Sequence, residues 1–89
     1  MKKLIKRNYN SIVNRGLITS DTTDLDFLNK LQEEVTEAFE SELGTKEHAL
    51  EVADCILVCM NYLYHTGIHI PGLLKHKIKI NEDRAAQNK

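Results

Sequence analysis

Between Val52 and Tyr64 only Asp54 and Asn61 are strongly polar. A helix that is apolar around most of its girth must sit inside a core or inside an assembly. With 89 residues, the chain has too little material to wrap such a helix from all sides. A second copy is therefore the expected partner. Its longest apolar run, Cys55 to Met60, is far too short to span a bilayer. The same helix carries a polar seam. Glu47, Glu51, Asp54, Asn61 and His65 fall within roughly 80° of one another at 3.6 residues per turn.

The rest of the chain reads as helices separated by short punctuation, one domain over residues 1–89 with no repeat or linker. Leu4, Ile5, Tyr9, Ile12 and Val13 are spaced for a helix from about Lys3 to Asn14, with Gly16 as a left-handed terminator. Thr23 with Asp26 three residues later resembles a capping box, opening a helix from about Asp24 to Leu43. Phe27, Leu28, Leu31, Val35, Ala38 and Phe39 form its apolar stripe. Gly44 closes it. Thr45 caps the third helix, about Lys46 to His65. Gly67 breaks that one, and Ile70-Pro71 starts a fourth that frays after Arg84. No strand is expected, so the fold class is all-α: a four-helix bundle-like protomer completed by oligomerisation.

Twelve basic and thirteen acidic residues leave a net charge of −1, which points to neither a nucleic-acid nor a membrane surface. The basic N-terminus, Met1 to Arg7, lacks the apolar segment of a secretory signal. Cys55 and Cys59 lie four apart on one helix, a poor geometry for a disulfide. Both are expected to be buried apolar packing in a reduced, cytoplasmic protein.

Glu34 and Glu37 are three apart, and so are Glu51 and Asp54. Residues three apart are neighbours on a helix surface, so each helix presents a carboxylate pair. Glu34 lies only about 60° from the stripe centre at Leu31, whereas Glu33 and Glu40 lie on the opposite side. Asp54 interrupts the most hydrophobic helix, where a carboxylate is costly unless paired or metal-bound. Four converging carboxylates repel, and a hard dication relieves this. Oxygen-only donors select Mg²⁺, with Mn²⁺ a possible substitute, over zinc. Mg²⁺ keeps open positions for water and phosphate oxygens, so the set points to phosphoanhydride chemistry. Di-iron carboxylate bundles use Glu-x-x-His pairs, which this chain lacks.

On the fourth helix Lys77, Asn81 and Arg84 share a face able to grip a triphosphate, Arg bidentately and Lys as a point charge. The alternative is a solvated last turn favoured by the helix dipole. Lys30, one turn before Glu34, can join the substrate-binding set. His48, His65, His69 and His76 show no metal spacing and are expected at the surface or an interface.

Glu33-Glu34-Val35-Thr36-Glu37, thirteen residues, then Glu51-Val52-Ala53-Asp54 resembles the EExxE…ExxD signature of the MazG-like all-α NTP pyrophosphohydrolases. Gly67-Ile68-His69-Ile70-Pro71 and the run Lys77 to Arg84 are similar to the family's GIDLP…KxxxNxxR segment, with His69 where an Asp is usual. The likeness covers about Leu28 to Arg84. It implies an all-α homodimer or homotetramer with Mg²⁺ held by Glu34, Glu37, Glu51 and Asp54. It also implies that a metal-activated water attacks the α-phosphorus of a nucleoside triphosphate, releasing pyrophosphate. Lys77 and Arg84 would balance charge in the transition state, and Glu37 is the candidate base. Tyr9, Asn10 and Asn14 are candidate base contacts or packing residues. Two rival expectations are a phosphoribosyl-ATP pyrophosphohydrolase, disfavoured by Lys77, Asn81 and Arg84, and a non-catalytic helical oligomerisation module.

Overall fold

The computed structural model describes residues 2–87. Met1, Asn88 and Lys89, the ends of the expected domain, lie outside the described residues. Four helices follow in order: α1 (Lys2–Asn14), α2 (Asp24–Glu40), α3 (Lys46–His65) and α4 (Ile70–Gln87). Among the described residues there is no strand, and the chain is all-α.

The helix ends follow local chemistry. At the end of α1, Gly16 has φ +75°, a conformation that costs glycine nothing. Its N–H donates to the Val13 carbonyl at 2.9 Å, and Leu17 N–H reaches Ile12 at 3.2 Å. This is the paired hydrogen bonding of a Schellman motif. The capping box at α2 is complete: Thr23 N–H donates to Asp26 Oδ2 (2.8 Å), and Asp26 N–H donates to Thr23 Oγ1 (3.2 Å). Thr23→Ala is expected to cost about 1 kcal/mol of stability, read as a lower denaturation midpoint. An unchanged midpoint would show that α2 does not depend on the box.

α2 stops three residues short of the expected Leu43. Ser41 turns to an extended conformation, ψ 150°, and its hydroxyl donates to the Ala38 carbonyl at 2.7 Å. His48 Nδ1 lies 2.8 Å from the same hydroxyl. A cap built from the next helix therefore overrides the propensity of Glu42 and Leu43. At the other end of the chain α4 runs past Arg84 to Gln87.

α3 is central: α1, α2 and α4 each pack on it, while α4 packs on no other helix. Phe27 on α2 stacks with Tyr62 (5.4 Å between centroids) and His65 (5.1 Å). Tyr9 on α1 stacks with Tyr64 at 4.7 Å and shares a 2.8 Å hydrogen bond with His65 Nδ1. His65 is thus part of the packing between three helices, not a surface residue, and half-buried His48 serves the α2–α3 corner. His69 and His76 are exposed.

The burial of α3 differs from expectation. Its inward side carries the seam residues Glu51, Asn61 and His65 together with Leu57 and Val58, while Glu47 and Asp54 of the seam are exposed; Asn61 is its one buried residue. Val52, Ile56 and Cys59 point outward, and of the two free cysteines only Cys55 is even half-buried. The apolar stripe of α2 is split as well. Phe27 and Ala38 are buried, whereas Leu28, Val35 and Phe39 (84% exposed) are open. A stripe wider than about 100° exceeds what one neighbouring helix covers. The radius of gyration is 15.4 Å, against roughly 12 Å for a compact chain of this length.

Candidate functional site

α2 and α3 form an antiparallel hairpin, so the two carboxylate pairs meet at the same height. The 3.6-residue repeat puts Glu34 on the inner face of α2 with Phe27 and Ala38. It puts Glu51 on the inward seam of α3. One carboxylate oxygen from each of Glu34, Glu37 and Glu51 lies within 4.8 Å of the other two. Glu34 is 7% exposed. One of its oxygens, Oε1, pairs with Lys30 Nζ at 3.1 Å. Its other oxygen, Oε2, and Glu51 Oε2 are buried without a hydrogen-bond partner. Two buried acceptors left without partners are costly to desolvate, and both are oxygen ligands of the kind a hard cation takes.

Three of the four expected ligands are therefore gathered. Asp54 lies outside that tight cluster; it is exposed and lines a neighbouring cleft together with Glu34. The cleft measures about 560 Å³ and runs between α1, α2 and α3, with Lys30, Glu33 and Arg15 at its border. A second cleft of about 610 Å³, between Ile5, Tyr64, Ile70 and Leu74, is largely apolar and holds no carboxylate.

The charges act on one another. Glu34, and after it partial burial and Glu51, push the Glu37 carboxyl above its ordinary value of 4.5. The Glu34 carboxylate raises the Lys30 ammonium through their hydrogen bond. Burial, reinforced by the Glu34 charge, raises the Cys55 thiol, which keeps it protonated and unreactive.

Glu37 carries a prediction. A carboxyl whose folded pKa is raised holds its proton more tightly in the native state than in the unfolded chain. Its contribution to stability is whole below 4.5 and is lost as pH rises through the raised folded value. Metal-free protein should thus lose stability over that window as the pH increases, and Glu37→Gln should flatten the slope. Thermal unfolding with a chelator across mildly acidic pH measures it. A slope unchanged by the substitution would show that the three carboxylates do not interact.

The basic face of α4 is not assembled with this cluster inside one chain. Lys77, Asn81 and Arg84 are exposed, and neither cleft is lined by them. Lys30 is beside the cluster, but it is already engaged by Glu34 and by Glu33 at 3.4 Å. Of the expected base contacts, Tyr9 is held by His65, while Asn10 and Asn14 are exposed and away from the cleft. Asn8 and Asn61 also line the cleft, with Thr22, Asp26 and Asn29. Asn61 was legible as part of the seam on α3; Asn8 carried no signal, because only the α1–α3 packing selects it from a run of asparagines.

No family profile matches the chain, and neither does any curated protein or solved structure.

Proposed function

We propose that the protein is a Mg²⁺-dependent nucleoside triphosphate pyrophosphohydrolase, working as a homodimer or homotetramer. One observation carries this above all: three carboxylates meet within 4.8 Å, and two of them present buried oxygens that no protein donor satisfies. Glu34, Glu37 and Glu51 would hold the cation, with Asp54 at the margin of the cleft beside them. When bound, Mg²⁺ supplies charge neutralisation and Lewis-acid polarisation of phosphoryl oxygens.

The chain's own residues would do the remainder. Glu37, the exposed member of the cluster, is open to solvent and can take a proton from an attacking water. Lys30 neutralises part of the excess negative charge and so lowers the cost of bringing a polyphosphate to an acidic site. The cleft volume, about 560 Å³, falls in the range of small-molecule sites. Lys77, Asn81 and Arg84 would grip the leaving phosphates of whichever chain the assembly brings α4 against.

Association is supported by the surface. The single chain exposes 7089 Å², whereas a compact monomer of 10.2 kDa exposes roughly 5300 Å². The surplus is large enough to form a stable interface on each protomer. It includes Leu28, Val35 and Phe39 on α2 and Val52 and Ile56 on α3.

Incubation with each ribo- and deoxyribonucleoside triphosphate, with and without Mg²⁺, tests the proposal. The expected products are the monophosphate and pyrophosphate, only with the cation. Diphosphate and orthophosphate would contradict attack at the α-phosphorus. No turnover of any nucleotide, with no stabilisation by Mg²⁺, would leave a non-catalytic helical oligomerisation module.

A further inference from the structure

We propose that the apolar groove between α1, α3 and α4 seats the α2–α3 corner of a second copy of this chain, with Phe39 and Leu43 as the inserted side chains. This rests on the self-association argued above and not on the hydrolase. Phe39 (84%) and Leu43 (79%) are the most exposed large apolar side chains among the described residues. Both stand at one corner, where α2 ends and the loop to α3 begins. Apolar residues scattered singly over a surface are ordinary, whereas two gathered at one projecting corner form a contact surface.

The groove measures about 610 Å³. Ile5 of α1, Met60 and Tyr64 of α3 and Ile70 and Leu74 of α4 line it, together with Lys2. Charge selects the occupant. No carboxylate stands on α1, from Met60 to His65 or from Ile70 to Asn81. Lys2, Lys6 one turn after it, and Lys75 beside Leu74 are all exposed. The corner has the opposite sign, with exposed Glu40, Glu42 and Glu47 against Lys46 alone. Such complementarity steers and registers a contact that apolar side chains then hold. A chain cannot fill its own groove. The corner lies at the start of α3, and the distance along the axis from Lys46 to Met60 and Tyr64 is roughly 21–27 Å. Corner and groove therefore occupy opposite ends of one helix. Two copies with their α3 helices antiparallel across a twofold axis bring each corner to the other's groove. Both contacts form at once, and the assembly closes. The axis passes near the middle of α3, where Val52 and Ile56 are exposed.

Sedimentation of the full chain across a concentration and salt series tests the contact. Phe39→Asp and Leu74→Asp should each raise the dissociation constant about a hundredfold or more, with helical content kept. Mixing the two variants should recover a heterodimer, because one of its two contacts is intact; a variant that had merely unfolded would recover nothing. Lys2→Glu with Lys6→Glu should weaken association about tenfold at low salt, and adding Glu40→Lys with Glu42→Lys should restore it. Leu17→Asp, at the far end of α1 and outside the groove, should change nothing. An assembly that keeps its affinity in both Asp variants would overturn the contact and leave the groove to a small apolar molecule or another protein, although self-association would stand. Variants that stay monomeric when mixed would overturn the reciprocal docking. A native protein that stays monomeric at high concentration would overturn the contact and the association together. Association is read without nucleotide, so none of these results bears on the hydrolase chemistry.

Discussion

Glu34→Gln is expected to cut Mg²⁺-dependent turnover on the order of a thousandfold or more, the several kcal/mol that a correctly held metal contributes, while leaving the metal-free protein as stable as before or more so. The two effects have opposite signs for one reason. Glu34 is nearly buried, and its Oε2 has no partner. Neutralising it relieves about 1–3 kcal/mol of uncompensated desolvation. Against this stands the lost ion pair to Lys30, whose side chain is 54% exposed; such pairs contribute about 0–1 kcal/mol. The relief wins. A residue kept for packing would show the reverse, with lower stability and unaltered chemistry. Saturating Mg²⁺ should stabilise the native protein by about 2.7 kcal/mol at a hundredfold excess over Kd, and the variant should lose that response. Hydrolysis assays paired with denaturation in chelator read both quantities. Near-normal turnover in Glu34→Gln would remove the carboxylate cluster from the chemistry.

Ile56→Asp is expected to dissociate the assembly. Ile56 is 52% exposed in the single chain and shares an outward face with Val52 and Cys59 on α3. If that face is covered by a second copy, the substitution buries an unpaired charge, at a cost of several kcal/mol. That corresponds to a rise in the dissociation constant on the order of a thousandfold. The position makes little contact within the chain, so the fold of the monomer should survive. Sedimentation across a concentration series should show the native protein as a dimer or tetramer and the variant as a folded monomer by circular dichroism. A native protein that stays monomeric at high concentration would refute the assembly. Activity of the variant should fall with its mass, because the basic face of α4 is not brought to the acidic cluster within one chain.

Much of the fold was legible because its signals are local. Thr23 with Asp26, Thr45, Gly16 and Gly67 each act through hydrogen bonds or dihedral angles a few residues away, and each stands where it was expected; Gly44, expected to close α2, lies instead in the loop beyond it. The end of α2 was not legible, because His48 reaches back across the corner to Ser41. The acidic site was partly legible. Spacing put Glu34 with Glu37 on one face and Glu51 with Asp54 on another, but not how closely the faces meet. Asp54 stands apart from the other three for that reason.

Helix order, most helix ends and the spacing of the carboxylates along each helix were determined by the amino-acid sequence alone, since these depend on signals no more than four residues apart; the end of α2, set by His48 across the corner, was not. The side of α3 that turns inward was decided only by the tertiary structure. The apolar side is the larger, and burial by hydrophobicity alone would have hidden it. Tyr9, Asn8 and Phe27 instead hold the seam through His65 and Asn61. Hydrogen bonds and ring contacts between residues 38 to 56 positions apart set that rotation, and periodicity within one helix carries no information about them.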